Sequence, residues 1–436
     1  MLNERGMALP LTMLIMLVLT SLGLGLLAMA GHEPVISQNL AQATQARFAA
    51  EAGIEAAFDT LANTPNWNTL LVNANPGYGV TLFNNHAIGT LAASRGMYSV
   101  LLRNDIQAGD SAITGVVADA GGAQEDTNNT VIVTSSGAVN LATRRIRVAA
   151  RKITFPPKFF PGALALPGKE AQAHFNGDTF GIDGRGYNMD GTPDPGCASV
   201  FGIAVSPVLG SPPGSNEGVV EGALSSQQKD NVWGKSQTGG ADTFGNPTIA
   251  PDSLTPTLVK EFIDQAKGAA DIVLASHQPS GLSMSNIGST CSTDPNGPTC
   301  WGHKDSSTGE IFPKTVYIKG DADPTSMFTA LGISGTSTGY GILIVEDGDL
   351  KIWGNFSWNG AIIVTGSYVG VGFLGGGNQT VYGSVISNET ATDPGFYEGV
   401  LTGNAKLRYS CTALAATLRN RKLMSIVTWK DLAPDE

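Results

Sequence analysis

Four cysteines have spacings that constrain the chemistry of this 436-residue chain. The segment 292–298, between Cys291 and Cys300, is made of turn-forming residues, which favours a disulfide between these two cysteines. That choice leaves Cys197 to pair with Cys411, although four cysteines allow three connectivities. No C-x-x-C or H-x-x-x-H spacing is present, so the pattern favours disulfides over a structural zinc site.

Catalytic motifs are scarce. The sequence has no H-E-x-x-H and no G-x-S-x-G. Asp183, Asp190 and Asp194 lie among glycines and are the candidate carboxylates of a pectate-lyase-like β-helix enzyme, but acidic residues in such loops also form turns. The segment 233–236 (W-G-K-S) is similar to the end of a phosphate-binding loop, yet Lys229 stands where the first glycine is required. We therefore expect no enzymatic activity and no cofactor.

A second acidic group lies in the loop from Asp105 to Asp126. This loop also holds Asp110, Asp119 and Glu125, and carboxylate oxygens are the ligands that calcium prefers. The spacing matches no defined calcium loop, so a solvated acidic loop is the other interpretation.

Composition and charge narrow the class of protein. The formal net charge is -11, and a polyanionic nucleic acid would be repelled by such a chain. With 55 glycines and only 14% charged residues, most of the chain is typical of a turn-rich β protein. The length predicts two or three domains.

The amino-terminal stretch carries the most specific signal. The 24 residues of segment 7–30 include no Asp, Glu, Lys, Arg or His, and as a helix they would reach roughly 36 Å, enough to cross a bilayer core. The segment 28–30 (A-M-A) is also typical of a signal-peptidase site, and cleavage there would leave a chain that starts at Gly31. However, apolar residues from Val35 to Leu61 recur at helical spacing, and a cleaved signal has no need of that continuation. Pro34 is predicted to kink or break the helix at the membrane exit.

Two segments, 5–9 (R-G-M-A-L) and 49–57 (A-A-E-A-G-I-E-A-A), together resemble the type IV pilin superfamily, and within it the minor pilins of the PilX type. The resemblance covers only the leader and the amino-terminal helix. It implies that a prepilin peptidase cuts after Gly6 and methylates Met7. Leu11 would then hold the fifth mature position, where major pilins carry glutamate, and this departure suggests a subunit at the filament tip or one used for initiation.

The resemblance implies a minor pilin-like protein that primes or caps a type IV pilus and presents a large extracytoplasmic domain for assembly or surface contact. Its partners would be other pilins, through the helix, and the prepilin peptidase. It would sit in the bacterial inner membrane, single-pass with an extracytoplasmic carboxyl terminus, and on the pilus or cell surface after assembly. The alternatives are a pseudopilin of type II secretion and a secreted β-helix carbohydrate-active protein.

The predicted fold is α+β, with a long amino-terminal transmembrane pilin helix, a small antiparallel β-sheet domain and a Gly-rich carboxyl-terminal β-solenoid-like domain. Alternating or continuous apolar patterns predict strands of the small sheet over 97–103, 130–134 and 145–151. The expected divisions are a leader 1–6, a pilin helix 7–62 with 7–30 transmembrane, a β domain 63–155, a loop-rich segment with one helix 156–280, and a β-helix-like domain 281–436.

Glycines in the last part of the chain recur every six residues, at 348, 354, 360, 366 and 372, beside short apolar strands. This pattern is typical of a β-helix with glycine at its corners, and an antiparallel sheet with glycine turns is the alternative. Trp353, Phe356 and Trp358 are candidates for carbohydrate stacking or for core packing. Upstream, a helix is predicted from Pro256 along an apolar face that extends to Val273.

Overall fold

The computed structural model describes residues 8–64, 66–88, 96–207, 215–235, 247–321, 328–391 and 397–433. These residues form two compact units. The helix unit contains the described parts of 1–61, 66–151 and 426–436, and the parallel unit contains those of 62–65 and 152–425.

Helix α1 spans Ala8–Asn63, which is 56 residues, and it continues through Pro34. Of the predicted kink or break at Pro34, the break is therefore wrong and the kink stays a prediction. Proline removes one N–H from the helical ladder, and the strong helix formers alanine and leucine, frequent up to Ala30 and again from Leu40 onward, stabilise the helix before and after it.

The predicted small antiparallel sheet is confirmed in the helix unit. Its first strands are β1 (Val80–Ala87), β2 (Met97–Asn104), β3 (Thr130–Val139) and β4 (Ala142–Lys152), with a short helix α2 (Asp110–Thr114) between β2 and β3. Each strand pairs antiparallel with the next. On β4, Ile146 and Val148 are buried while Arg145 and Arg147 are only half-buried, so the alternation seen in the sequence separates a packed face from a wetter one.

The parallel unit contains many short strands and four helices. The strands are β5 (Gly162–Leu166), β6 (Ala173–Asn176), β7 (Gly181–Asp183), β8 (Phe201–Val205), β9 (Val232–Trp233), β10 (Ile249–Pro251), β11 (Ile272–Ala275), β12 (Leu282–Ser285), β13 (His303–Lys304), β14 (Ile311–Phe312), β15 (Lys314–Lys319), β16 (Thr329–Ser334), β17 (Thr336–Glu346), β18 (Asp349–Ile352), β19 (Asn355–Gly366), β20 (Val371–Phe373), β21 (Gln379–Glu389), β22 (Gly399–Thr402) and β23 (Lys406–Tyr409). The helices are α3 (Asn216–Gly222), α4 (Ser226–Lys229), α5 (Pro256–Ala266) and α6 (Cys411–Thr417).

Two parallel sheets organise this unit. The larger has the strand order β10-β8-β5-β21-β19-β17-β15-β11, and from β21 a branch runs β23-β7-β9. The smaller has the order β12-β16-β18-β20-β22-β6. From β15 to β23 the chain alternates strictly between the two sheets, so each successive coil adds one strand to each. Strands β13 and β14 form a separate antiparallel pair.

Strand β17 shows why the apolar runs in this unit are continuous. Leu343 and Val345 point into a core that the two sheets share, while Ile342 and Ile344 pack with Phe262 of α5 on the opposite face. Both faces of the larger sheet are therefore covered here, as is usual for parallel strands. The predicted helix over this α5 region is too long, because Val273 lies on β11.

The six-residue glycine repeat serves more than one purpose. Gly348 and Gly354 lie between strands, as expected of corners, whereas Gly360 lies inside β19. There it pairs in register with Gly341 of β17 and Gly383 of β21, and all three have positive φ angles of 129°, 138° and 145° in strand order. These three residues form a glycine column across the larger sheet.

The predicted division of the second half of the chain is wrong in two places. Segment 156–280 is not a loop-rich connection, because its strands β5 and β8 lie beside β21 in the larger sheet. Segment 281–436 is not one domain, because strand β24 (Met424–Leu432) lies beside β4 in the antiparallel sheet. Both errors concern strands whose neighbours are far away in sequence, and local patterns contain no information about such pairings.

Candidate functional site: an exposed apolar helix

The first half of α1 is an apolar surface that none of the other described residues covers. Segment Leu9–Leu27 has a mean hydropathy of 2.1, and none of it is buried. By length and composition alone it can cross a membrane, since 19 helical residues extend about 28 Å. Leu11, at the position that the pilin resemblance singles out, is 61% exposed. Apolar surface of this extent is what a membrane or other apolar helices would bury.

The second half of α1 packs on the antiparallel sheet through small residues. The side chains of α1 that are at most 1% exposed recur at helical spacing and are mostly alanines: Ala46, Ala49, Ala50, Ile54, Ala57, Leu61 and Ala62. Gly137 of β3 faces this stripe, and a Cβ atom there would overlap the Ala46 carbonyl oxygen and the Ala50 nitrogen. Helix and strand backbones therefore approach each other more closely than any residue larger than glycine would allow at Gly137.

The exposed segment Leu9–Leu27 contains no charged side chain, and charged residues of α1 begin after it. Glu33 is the first acidic residue of α1, and Arg47 is its first basic residue. The Arg47 guanidinium lies 3.2 Å from Glu51 and 3.5 Å from Asp431, and because these side chains are half-exposed the pairs add little stability. Gly6 and Met7, the predicted cleavage and methylation residues, lie outside the described residues.

The acidic loop of the helix unit contains a hydrogen-bonded network, and its predicted solvation is wrong for the buried Asp105, Asp110 and Asp119, whereas Glu125 is exposed. Asp105 is fully buried, and the Asn128 amide donates to its two oxygens at 3.1 and 3.2 Å. Asp110 accepts bidentate hydrogen bonds from Arg103 at 2.6 and 2.7 Å. Asp119 accepts from the Gly121 N–H at 2.7 Å. Oxygens that already accept from protein donors are poor calcium ligands, so this geometry gives the calcium interpretation no support.

The pKa values of Asp119 and Asp126, both in this loop, are shifted in opposite directions. Burial alone would raise the pKa of Asp119, but hydrogen bonds from Thr127, Gly121 and Asn104 outweigh it and hold that pKa below its ordinary value. Burial raises the pKa of Asp126 to about 6, and the nearby charge of Asp119 adds to the effect. The loop therefore contains one strongly held carboxylate beside one that takes up a proton in mildly acidic solution.

The cysteines form two disulfides in the parallel unit. Cys197, in the loop before β8, is bonded to Cys411 at the start of α6, and their Cα atoms are 5.7 Å apart. Cys291 is bonded to Cys300 with a Cα separation of 4.9 Å, which closes a short loop between β12 and β13.

Each of the three aspartates considered as catalytic carboxylates accepts hydrogen bonds from donors near it in sequence. Asp183 is buried and accepts hydrogen bonds from Arg185 and from the Tyr187 hydroxyl, the latter at 2.6 Å. Asp190 accepts from the Thr192 N–H at 2.9 Å, and Asp194 accepts from the Gly196 N–H at 2.9 Å. The last two contacts are the side-chain turns that the alternative interpretation predicts.

The aromatic candidates for carbohydrate stacking divide between core and surface. Phe356 and Trp358 are 3% and 1% exposed and belong to the core between the two parallel sheets, so they are not available to a ligand. Trp353 is 40% exposed and is the one member of the three that a partner can reach.

Sequence reasoning missed two buried glutamates. Glu389 ends β21 and Glu398 precedes β22, and both are at most 2% exposed. Burial and the charge of Glu389 raise the pKa of Glu398 well above its ordinary value, while the Gln172 N–H donates to its carboxyl group. Glutamates are mostly exposed in proteins, and no local pattern around these two signals burial.

Comparison with known proteins adds one likeness. No family model matches the sequence, and no curated protein matches it. The solved structures include a chain described as the competence-associated pilin ComZ from Thermus thermophilus, which is 10% identical, with 90% of this chain and 97% of that chain covered and a TM-score of 0.24. Superposition at this level carries no argument about fold or function, so the proposals below depend on the residues of this chain.

Proposed function

We propose that this chain is a minor pilin-like protein that primes or caps a type IV pilus. One observation carries the proposal: a single helix is exposed and apolar over Leu9–Leu27 and packed on an antiparallel sheet over its later turns. Such a helix can exchange lipid contacts for contacts with other apolar helices without refolding. The leader 1–6, the transmembrane span 7–30 and modification of Met7 belong to this proposal.

The small residues of the exposed half support a role in helix association. Gly23 and Gly25 have no atom within 4 Å of the Cβ position, so their side is open to a neighbour. Glycine lets helix backbones approach closely, which is how apolar helices associate in lipid. The expected partners are other pilins, together with the prepilin peptidase at the inner membrane.

The parallel unit is the domain that would be presented outside the membrane. Its alternation between two parallel sheets supports a β-solenoid-like organisation, and its two disulfides suit an oxidising extracytoplasmic compartment. At the surface of this unit, exposed Trp353 is a candidate contact for a partner.

The deciding experiment determines the mature amino terminus by mass spectrometry of protein from membranes and from sheared surface filaments. The proposal expects N-methylated Met7 in both fractions, whereas a chain starting at Gly31 would refute it and favour a secreted protein. Two matched variants distinguish cleavage by the prepilin peptidase from cleavage by signal peptidase. Gly6→Val should block processing and Ala30→Val should leave it unchanged, and the reverse pattern is expected of signal-peptidase cleavage.

A further inference from the structure

His303 faces the short disulfide loop of the parallel unit. Its Nδ1 atom lies 3.9 Å from the Cys300 sulfur, and one ligand atom from each of Cys291, Cys300 and His303 lies within 4.8 Å of the others. Among the described residues this is the one group of three or more histidine, cysteine, aspartate or glutamate side chains with such convergence. Both cysteines are buried, at 5% and 0% exposure, and His303 is half-buried.

We propose that reduction of this disulfide by a dithiol creates a zinc site whose ligands are Cys291, Cys300 and His303. Tetrahedral zinc with Zn–S and Zn–N bonds of about 2.3 and 2.0 Å places sulfur and nitrogen ligands roughly 3.5 Å apart and two sulfurs roughly 3.8 Å apart. The observed distance of 3.9 Å between Cys300 and His303 is already close to that requirement. The two sulfurs must separate, and breaking their bond frees them to do so, while the Cys291 sulfur is already within 4.8 Å of the imidazole.

Contacts that do not involve sulfur hold the loop in place. The Gly288 N–H donates to the Thr299 carbonyl at 2.9 Å, which joins the two sides of the loop next to the cysteines. The Trp301 indole donates to the Pro298 carbonyl at 2.9 Å. The loop therefore keeps its fold-back geometry when the sulfur bond is open, and the ligands stay close together.

The imidazole is also held in position. The His303 ring stacks on Phe312 with centroids 5.0 Å apart and planes 18° from parallel, because β13 and β14 pair there. A fixed ring loses less conformational entropy when it binds a metal than a freely rotating one.

An open cavity gives the metal access. It has a volume of about 520 Å³, and Cys291, His303 and Tyr340 are among the residues that line it. A water molecule entering from this cavity can supply the fourth ligand that three protein ligands leave open.

Electrons and protons are conserved in the reduction of the disulfide and in zinc binding. The dithiol gives two electrons and two protons to the Cys291–Cys300 bond and closes its own disulfide, which leaves two protein thiols. Zinc then displaces both thiol protons and accepts a lone pair from neutral His303. The resulting Zn²⁺ with two thiolates carries no net charge, which suits a half-buried position.

The test uses the full-length chain in detergent. Protein is reduced with dithiothreitol, freed of reductant under nitrogen, and titrated with Zn²⁺ against a chelating dye, with Co²⁺ absorption reporting thiolate ligation and tetrahedral geometry. The reduced wild-type chain should bind one zinc, and the oxidised chain should bind none. His303→Ala should weaken zinc binding at least 10-fold, and Cys291→Ser should abolish it.

The other disulfide supplies the matched control. A chain with Cys197→Ser and Cys411→Ser keeps only the proposed ligands and should still bind one zinc after reduction. If that variant fails to fold, the comparison of wild type with Cys291→Ser still decides the matter. Equal zinc affinity in wild type and His303→Ala would overturn the assignment, as would reduced wild-type protein that takes up no metal. The inference does not depend on the proposed pilus role.

Discussion

Replacing Gly360 by alanine should destabilise the parallel unit strongly. Gly360 lies in the glycine column with a φ of 138°, where side chains are strained. An added Cβ would overlap the Gly341 carbonyl oxygen and lie 2.7 Å from Cγ2 of Thr417. The first contact is with backbone of the neighbouring strand, which cannot move without disturbing the hydrogen bonds between β17 and β19.

Two costs add in this variant. Holding a residue with a side chain in sparsely populated backbone space costs about 1–3 kcal/mol. Relieving overlap in a packed interior costs about 1–3 kcal/mol more. The two costs sum to about 2–6 kcal/mol, so we expect Gly360→Ala to lower the free energy of unfolding by about 4 kcal/mol, the middle of that range.

Gly376→Ala is the matched control. Gly376 is exposed, has nothing within 4 Å of its Cβ position and lies in the same unit, so its substitution should change stability by less than about 0.5 kcal/mol. The assay is urea unfolding of the full-length protein in detergent, followed by tryptophan fluorescence, because Trp301 and Trp358 are buried in this unit. If Gly360→Ala unfolds at the same urea concentration as Gly376→Ala, the steric argument for the glycine column is refuted.

Three further perturbations test other parts of the structure. The pKa of Glu398 is raised in the folded protein, so its contribution to stability is complete below the unfolded pKa of about 4.3 and is lost as pH rises through the folded pKa. Glu398→Gln should therefore flatten the decline of the unfolding free energy with pH. An unchanged slope would contradict the role of burial and of Glu389. Asp119→Ala removes the acceptor of the buried Asn104 amide and of the partly buried Gly121 and Thr127 N–H groups and should cost about 2–3 kcal/mol in thermal unfolding, whereas a loss below 0.5 kcal/mol would contradict the network. The Cys197–Cys411 disulfide links residues 214 apart, so loop entropy predicts a loss of roughly 5 kcal/mol in urea unfolding when both are changed to serine, and a loss under 1 kcal/mol would contradict that account.

Local patterns predicted the elements better than their arrangement. The run 342–345 is apolar and short, and it became part of β17. Segment 162–166 (G-A-L-A-L) is equally apolar and forms β5, but the prolines and glycines around it led to a loop prediction. Its place beside β21, more than 200 residues later, depends on a pairing that periodicity cannot reveal.

The metal-ligand group near the cysteines could not be recognised from the sequence alone for a related reason. The spacing Cys300-x-x-His303 is visible in the sequence, yet it is a metal signal only with Cys291 as a third ligand. That residue joins the group because segment 292–298 folds back, which is the same turn chemistry that favours the disulfide. One local feature thus predicts both the oxidised bond and the reduced ligand set.

The position of Pro34 links the continuous helix to its proposed two environments. Proline has no N–H to give to the carbonyl of Ala30, so one backbone acceptor of α1 lacks its helical partner. Inside hydrocarbon such an acceptor costs several kcal/mol, whereas water satisfies it at little cost. Ala30 is the last residue of the proposed span 7–30, beyond the apolar segment Leu9–Leu27 and three residues before Glu33, so in the proposed anchor its carbonyl lies at the membrane boundary. In the proposed membrane-anchored state, the gap in the hydrogen-bond ladder would therefore fall at the carboxyl-terminal end of the span, where interfacial water can satisfy the acceptor, and α1 would include its proline and remain one helix in lipid and in solvent.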